Sequence, residues 1–549
     1  MSRVKQFIAL PTLLIPVAGM AAKAANAAAP AAQGDKPLNV LCVVCEDTGI
    51  QYFGCYGSKL DVTPTIDKLA RDGVRYTHFF DVIGVSAPSR VALITGVYPT
   101  AIGANNMRSY ATNGNFPEGV IPYYVVPPAG VKCYPEYLRA AGYYCTNNSK
   151  TDYQFPSPLT AWDDCSNNAE WKHAPAGMPF LAIYNFEESH ESYVWVNRNK
   201  PLTVDPKDVP VPPYFPATDT VRRDIARVFS NVRLADQFLA QKLKELDDAG
   251  KTDNTIVIFY SDNGGPLLRQ KRTVYEQGLH VPLIIRYPKG YKAGTVEDRI
   301  CSFVDIPATI MSLIGMRPPI YMHGKAFAGK YEVKPREYAY AAQDRCDVYY
   351  DKVGSVRDRR FIYLRNYMPE IAGYLDAAYR RQMPLMMDIL KERDAGRLDA
   401  VQMDYFNKPR PKEEFYDAEA DPDNIHNLIN DKRYAADIDR LRRAHNQWVH
   451  DFNDLWFLPE KELSELMMPG GVQRTVEPLV VVSGKDGASI FCPTEGSSIA
   501  YQINGKGFTP KHWMLYTKPL ALKKGDVLTA IGVRAGFKNS PTITFTENE

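Results

Sequence analysis

Residues 86–96 read Ser-Ala-Pro-Ser-Arg-Val-Ala-Leu-Ile-Thr-Gly and place a hydroxyl group at the start of a predicted helix. Proline has a fixed φ and no N–H group, so Pro88 favours a first helical turn that begins near Ser86. Arg90 follows Ser86 by four positions, and the two side chains can therefore share one face of the helix. The free N–H groups and the dipole of a helix start also favour a bound anion.

The chemistry of this segment stays open on these residues alone. A serine hydroxyl is a weak nucleophile unless another group activates it. A structural helix that begins at a serine and exposes an arginine explains the same residues. The rest of the chain has to decide between the two interpretations.

Apolar segments alternate with helical patterns over residues 36–330, which predicts an α/β domain. We expect a mostly parallel sheet sandwiched by helices. One helix is predicted to open at Thr63-Pro64 and to end at Gly73, and a long amphipathic helix to run from Val221 to Leu246. The predicted strands are residues 38–45, 74–80, 180–186, 255–260 and 282–286.

The pattern changes twice beyond this domain. Residues 331–465 contain shorter and more polar segments, which predict a smaller C-terminal α+β subdomain with a small antiparallel sheet. Its strands are expected at 338–342, 353–356 and 361–366, and a closing helix at 435–452. Pro469-Gly470-Gly471 marks a linker, and the alternating pattern of residues 470–549 predicts an appended β-sandwich module.

Residues 1–27 have the pattern of a secretory signal peptide. Arg3 and Lys5 precede an apolar stretch at 7–17, and cleavage is expected near Ala25-Asn26-Ala27. The apolar stretch is too short for an ordinary membrane span. We therefore expect a periplasmic or secreted protein with no membrane span.

The overall charge of the chain is nearly balanced, with 65 lysine and arginine residues against 63 aspartate and glutamate residues. This balance argues against nucleic acid as a partner. Any affinity for an anionic ligand must come from local clusters of charge.

Acidic and amide side chains directly follow two of the predicted strands. Glu46-Asp47 comes after the first strand, and Asp262-Asn263 after the strand that ends at residue 260. The carboxyl ends of parallel strands meet at one edge of a sheet, which is where such folds place their sites. These oxygen donors suit Ca²⁺ or Mg²⁺, although Asp-Asn-Gly is also an ordinary turn sequence.

The pattern of Ser86, Pro88, Arg90 and Thr95-Gly96 resembles the signature of the type I sulfatases, a family of the alkaline phosphatase-like superfamily. Further motifs follow in the expected order over residues 38–460. The resemblance implies that Ser86 is oxidised to formylglycine (3-oxoalanine) by a radical maturation enzyme of the anaerobic type in a Gram-negative bacterium. It also implies one Ca²⁺ ion bound by Glu46, Asp47, Asp262, Asn263 and the modified Ser86.

Three more residues match family motifs. Lys271 lies in a block that resembles Lys-x-x-x-Tyr-Glu-x-Gly-x-x-Val-Pro, and Lys150 resembles the second sulfate-binding lysine. His190 matches a histidine aimed at the bridging oxygen of the ester. The chain departs from the family in having Glu46 where Asp is usual, and Asp152 where a histidine often follows the lysine.

The resemblance implies a sulfuric ester hydrolase that acts on a sulfated carbohydrate, a glycosaminoglycan or an algal polysaccharide. Hydrated formylglycine, held by Arg90 and the cation, would attack sulfur in line, and His190 would protonate the departing sugar oxygen. The sulfated diol would then collapse and release sulfate. Residues that could line the substrate pocket are Asn105, Asn106, Arg108, Asp344 and Arg345.

Two alternatives remain. The first is a phosphoester hydrolase of the same superfamily with an unmodified Ser86, although the chain has few histidines for a site with two transition metals. The second is a non-catalytic glycan-binding protein in which the C-terminal module does the binding. The complete set of motif residues argues against a decayed site.

Overall fold

The computed structural model describes residues 36–110, 116–452 and 455–547. The predicted signal peptide lies outside the described residues. Among those residues, no helix combines the length and the apolar character that crossing a membrane requires.

An eight-stranded sheet forms the centre of the first part of the chain. Its strands are β1 Asn39–Cys45, β2 Val74–Phe80, β3 Tyr144–Asn148, β4 Asp164–Cys165, β5 Phe180–Phe186, β6 Thr255–Ser261, β7 Leu283–Arg286 and β8 Thr295–Ser302. They lie in the order β4-β3-β5-β1-β6-β7-β2-β8, and every pairing is parallel except those of β7 with β6 and β2. The predicted α/β fold with a mostly parallel sheet is confirmed.

Helices cover both faces of this sheet. They are α1 Pro64–Asp72, α2 Ser86–Thr95, α3 Tyr134–Ala140, α4 Ser192–Val196, α5 Asp219–Asp248, α6 Glu276–Leu279 and α7 Asp305–Leu313. Apolar side chains of α2, α3 and α7 pack on one face, and those of α1 and α5 pack on the other. A sheet covered on both sides has strands that are apolar throughout, which is why the strand segments stood out in the sequence.

Strand β1 shows this arrangement most clearly, because all seven of its residues are buried. Val40, Cys42 and Val44 belong to one core, and Leu41, Val43 and Cys45 to the other. Cys42 and Cys45 are free thiols that fill core positions.

The second part of the chain forms a four-stranded antiparallel sheet. Its strands are β9 Ala339–Gln343, β10 Val353–Arg357, β11 Phe361–Asn366 and β12 Glu413–Asp417, in the order β12-β11-β10-β9. The accompanying helices are α8 Pro384–Asp394, α9 Ala400–Asp404, α10 Ala435–Phe452 and α11 Glu460–Met467. Helix α10 packs Ile438 and Leu441 against β11 and β12, and has the predicted bounds.

The C-terminal residues form two small antiparallel sheets. One pairs β13 Val480–Gly484 with β14 Gly487–Phe491. The other contains β15 Ser498–Ile503, β16 Met514–Leu515, β17 Val527–Val533 and β18 Ile543–Thr546. Both sheets contribute to one small core that includes Ile490 and Leu528. The division into domains at 36–330, 331–465 and 470–549 stays a prediction.

Candidate active site

The carboxyl ends of β1, β5 and β6 meet at one edge of the large sheet. Glu46 and Asp47 follow β1 directly, and Asp262 and Asn263 follow β6, and all four side chains are buried. The backbone N–H of Asp47 donates to Oδ1 of Asp262 at 3.2 Å, and Nδ2 of Asn263 donates to Oδ1 of Asp47 at 2.9 Å. The two pairs therefore form one acidic cluster, as the parallel order of the strands predicts.

Ser86 is the first residue of α2 and faces this cluster. Its Oγ donates a hydrogen bond to Oδ1 of Asn263 at 2.9 Å, and the residue is 1% exposed. The hydroxyl thus lies at the start of a helix and beside the predicted cation ligands.

The loop before Ser86 is held by Asp81, a residue that the sequence analysis did not identify. The Asp81 carboxylate accepts hydrogen bonds from the backbone N–H groups of Val82 at 2.6 Å and Gly84 at 2.7 Å, and from Oγ of Ser89 at 2.6 Å. Gly84 has a φ of +75°, and a Cβ atom there would lie 2.3 Å from the carbonyl oxygen of Thr273. Glycine is needed at this position for both reasons.

Arg90 links the cluster to β5. Its Nε donates to Oδ2 of Asp262 at 3.0 Å, and its Nη1 donates to Oδ1 of Asn185 at 2.8 Å. Burial lowers the pKa of Arg90, but the carboxylates of Asp262 and Glu46 raise it by more. The guanidinium is therefore a buried permanent cation four positions after Ser86.

Glu46 pairs with Lys150 through Oε2, while its Oε1 is buried without a hydrogen-bond partner and lies 3.6 Å from Nη2 of Arg90. Burial raises the pKa of the Glu46 carboxyl to about 7, and the Lys150 ammonium partly opposes this rise. An unpaired carboxylate oxygen in a buried site is costly unless another cation or donor satisfies it.

Lys271 is the centre of a second charged group next to Asp47. Its Nζ donates to Oδ2 of Asp47 at 2.7 Å, contacts Nε2 of His190 at 3.0 Å, and lies 3.2 Å from Oε1 of Glu191. Asp47, His190 and Glu191 offer three possible metal-ligand atoms within 4.8 Å of one another. The Lys271 ammonium already contacts all three side chains, so it supplies the positive charge that a metal ion would supply at this position.

The carboxylates and the amide around Ser86 are the better cation site. Glu46, Asp47, Asp262 and Asn263 supply oxygen donors, and the unpartnered Oε1 of Glu46 is one of them. Hard oxygen donors of this kind fit a divalent cation such as Ca²⁺. The residues present therefore fit the ion that the sequence analysis inferred.

His190 is neutral in this arrangement. Burial and the neighbouring Lys271 ammonium lower its pKa well below the ordinary value for histidine. Nδ1 lies 2.9 Å from Oγ of Ser192, and Nε2 faces the Lys271 ammonium. The backbone N–H of Ser192 donates to Nδ1 at 3.2 Å, so each ring nitrogen has a donor-only group as a neighbour.

The five residues predicted to line the substrate pocket fall into two groups. Asn105, Asn106, Asp344 and Arg345 are buried. Asn105 donates to Asp344 at 2.9 Å, and Arg345 donates through Nε to Glu460 at 2.6 Å. The side chain of Arg108, in contrast, is 46% exposed and lies 3.3 Å from Asp152.

Glu191 and Arg272 were missed in the sequence, although each directly follows a predicted site residue. Arg272 binds both carboxylate oxygens of Glu191, with Nη1 at 2.8 Å from Oε2. The backbone N–H of Glu191 donates to Oδ2 of Asp47 at 2.7 Å. The sequence did contain a signal for this ion pair, because an acidic residue directly follows His190 and a basic residue directly follows Lys271.

Comparison with known proteins gives consistent results for most of the chain. Residues 38–316 match the family model described as Sulfatase. An ulvan-active sulfatase of Formosa agariphila is 39% identical over 550 residues, which cover 93% of this chain and 91% of the relative.

Solved structures support the fold at lower identity. A protein solved in complex with its substrate D-glucosamine-2-N,6-O-disulfate is 17% identical with a TM-score of 0.54, covering 77% of this chain and all (100%) of that one. A phosphonate monoester hydrolase of Agrobacterium radiobacter is 17% identical with a TM-score of 0.53, covering 74% and 96%. Since enzymes of both descriptions share the fold, the reaction has to be argued from the site residues.

Proposed function

The chain belongs to the sulfatase family of sulfuric ester hydrolases, and from that membership we propose that it removes sulfate from a sulfated polysaccharide of the ulvan type. The similarity over 93% of the chain to an ulvan-active sulfatase favours an algal polysaccharide over a glycosaminoglycan. The observation that supports the chemistry is the contact of Ser86 with Asn263, inside a buried group of paired cations and carboxylates.

The reaction needs two groups that the chain's residues are arranged to hold. We propose that Ser86 is converted to formylglycine by a radical maturation enzyme, and that Glu46, Asp47, Asp262 and Asn263 bind one Ca²⁺ ion. Formylglycine supplies, as its hydrate, an activated hydroxyl that can also release the product, and the cation supplies fixed positive charge beside it. A plain serine would keep the sulfate as a stable ester after one turnover.

Arg90, Lys150 and Lys271 are the residues that would receive the sulfate group. Each is held by at least one carboxylate, Arg90 by Asp262, Lys150 by Glu46 and Lys271 by Asp47. Because the carboxylates fix these cations before substrate arrives, little reorganisation is needed when the anion binds. The start of α2 adds N–H groups and the positive end of its dipole.

The Lys271–His190 pair would handle the proton of the leaving group. His190 is neutral and Lys271 is protonated, so the pair holds one exchangeable proton beside Asp47. An alcohol leaves poorly as an alkoxide, and proton transfer in the transition state typically contributes about 10²- to 10⁴-fold to the rate. We propose that this proton reaches the sugar oxygen through Nε2 of His190.

The proposed location is the periplasm or the exterior of a bacterial cell. The pattern of the first 27 residues supports this location, because it has the basic, apolar and small-residue parts of a secretory signal. A polysaccharide substrate is found outside the cytoplasm, which fits the same proposal.

The direct test is release of sulfate from ulvan by protein made in a host with an anaerobic maturation enzyme. Released sulfate is measured by ion chromatography for the wild type and for Ser86→Ala. We expect turnover only in the wild type, with loss of activity after chelation of divalent cations. Cleavage of a phosphate monoester without any release of sulfate would favour the phosphoester hydrolase instead.

A further inference from the structure

Arg108 lies at the edge of the active site and has unused hydrogen-bonding capacity. A guanidinium has five N–H donors, and the hydrogen bond described for Arg108 is one from Nη2 to Oδ2 of Asp152 at 3.3 Å. Nearly half of the side chain, 46%, is exposed. The Arg108 guanidinium is therefore positively charged and accessible.

The position of Arg108 ties it to the catalytic cations. The Asp152 side chain is 8% exposed and accepts a hydrogen bond from the Tyr110 hydroxyl at 2.8 Å. Asp152 follows Lys150 by two positions. Burial raises the pKa of Asp152, but Arg108 and Lys150 together lower it by more. The Asp152 carboxylate therefore interacts electrostatically with both Arg108 and Lys150, the lysine that would bind sulfate.

An aromatic wall lies near Arg108 on the His190 side. The Tyr379 ring is 6.5 Å from the His190 ring and 5.2 Å from the Trp195 ring, and the Tyr379 side chain is partly exposed. Tyr379 is also close enough to Arg108 to affect its pKa, after the larger effects of Asp152 and burial. Tyr379 is thus near both residues, so a sugar whose ester oxygen faces His190 would have Tyr379 and Arg108 in its surroundings.

The difference between Arg108 and the other cations of the site is its availability. Within the described residues, Arg90, Lys271 and Arg272 are buried against carboxylates, whereas Arg108 is half-exposed. The planar guanidinium of a partly exposed arginine can bind two oxygens of a carboxylate or of a sulfate at the edge of a site for anionic esters.

We propose that Arg108 binds a second anionic group of the substrate, a carboxylate or a sulfate on the sugar unit beside the ester that is cleaved. This contact would select densely acidic polysaccharides over chains with a single isolated sulfate. The proposal rests on the proposed function, because it places the scissile ester at His190.

The test uses two pairs of defined sulfated disaccharides. One pair has a hexuronate beside the sulfated sugar, with the carboxyl group either intact or reduced to an alcohol. The other pair carries or lacks a second sulfate at the neighbouring sugar. The measured quantity is the ratio of kcat/KM within each pair for the wild type, Arg108→Met and Arg108→Lys.

Arg108→Met is expected to lower one of these ratios by about tenfold or more, mainly through KM, as befits a lost charge-assisted hydrogen bond. A fall in the first ratio identifies a carboxylate, and a fall in the second identifies a sulfate. Arg108→Lys should retain part of the discrimination because it keeps the charge. Arg443→Met, at an exposed arginine of α10 paired with Asp439, is the matched control and should leave both ratios unchanged. Unchanged ratios in Arg108→Met would overturn the proposal.

A binding measurement separates this proposal from the proposed function. If the wild type releases sulfate from none of the disaccharides, the proposed function fails. Calorimetric titration of the same disaccharides into Ser86→Ala, with and without Arg108→Met, still tests the contact. We expect Kd to be about tenfold weaker in the double variant for the more acidic disaccharide. Equal Kd values would contradict an anion contact at Arg108.

Discussion

Nζ of Lys271 lies 3.0 Å from Nε2 of His190, and the same ammonium donates to Asp47 at 2.7 Å. The proposed proton donor and the proposed cation ligand are therefore connected through one buried lysine. In the proposed reaction the charge of Lys271 serves to bind the sulfate group, and together with burial it keeps the pKa of His190 low until substrate arrives.

Replacing Lys271 by methionine should remove this connection. We expect kcat/KM for sulfate release to fall by about 10²- to 10³-fold, which is typical for the loss of one preorganised charge contact. The histidine pKa should rise at the same time, because the neighbouring ammonium that lowers it is gone. Steady-state kinetics and NMR titration of His190 would check the two effects.

The control for that variant is Lys242→Met. Lys242 of α5 is also a buried lysine, and its ion-pair partners, Glu170 and Glu245, are not site residues. Its loss should lower stability without changing the kinetics of the folded enzyme. A similar fall in kcat/KM for both variants would mean that Lys271 acts only through stability.

Cation affinity should depend on pH through Glu46. The pKa of this carboxyl is raised to about 7, so below pH 7 a proton has to leave before Glu46 can bind the ion. The affinity for Ca²⁺ should therefore fall by up to about tenfold per pH unit below 7 and level off above it. Calorimetric titrations with Ca²⁺ at several pH values from about 5.5 to about 8.5 would measure how the affinity changes with pH.

Glu46→Gln serves as the control for this pH dependence. Glutamine keeps the size and one oxygen donor of Glu46 but has no proton to lose in this range. The variant should bind Ca²⁺ more weakly and without the slope below pH 7. An unchanged slope in Glu46→Gln would assign the titration to another group.

Gly84→Ala should disturb the loop that presents Ser86. The residue has a φ of +75°, and an added Cβ would lie 2.3 Å from the backbone oxygen of Thr273. The left-handed conformation alone costs about 1 kcal/mol for alanine, and the clash with backbone adds to it. We expect a lower melting temperature together with a large loss of activity.

Gly250→Ala is the matched control for the cost of placing alanine in a left-handed backbone conformation. Gly250 has a φ of +61°, and nothing lies within 4 Å of an added Cβ. This variant should lose stability by a similar conformational cost while its activity per folded molecule stays that of the wild type. Full activity in Gly84→Ala would show that the loop before Ser86 tolerates displacement.

Stability at acid pH should depend on His445, which is fully buried in the second part of the chain. Burial lowers its pKa to about 4 from the ordinary histidine value of 6.5. Because the folded-state pKa is the lower one, the stabilisation is complete above pH 6.5 and is lost as pH falls towards 4. The difference corresponds to about 3 kcal/mol as an upper limit.

His445→Gln removes this titrating group and tests the effect. Between about pH 7 and about pH 4.5, the melting temperature of the wild type should fall more steeply than that of the variant. Parallel curves for the two proteins would mean that folding does not lower the pKa of His445.

Strand ends and spacing allowed much of this fold to be predicted from the sequence. Apart from Asn39 and Thr255, the segments 38–45 and 255–260 are apolar because both faces of the sheet are covered, and they correspond to β1 and β6. The edge strand β8 was missed because its first five residues include charged side chains that face solvent. Thr63 was expected to cap α1, but its Oγ accepts from Gly54 instead, a contact that depends on the neighbouring loop.

The site was predictable where residues follow strands or begin a helix, and less so where distant segments meet. The contacts of Ser86 with Asn263 and of Lys150 with Glu46 join motifs whose order in the chain was informative. Tyr379 could not be predicted as a neighbour of His190, because it comes from the long segment between β11 and β12 of the small sheet. Asp81 likewise acts through backbone groups that no sequence pattern displays.

The central claim is the oxidation of Ser86, and peptide mass spectrometry of active protein from a maturation-competent host tests it most directly. We expect the peptide containing Ser86 to be lighter by two hydrogen atoms, and the modified fraction to rise in proportion to sulfate-releasing activity. An unaltered serine at position 86 in protein with full turnover would contradict it.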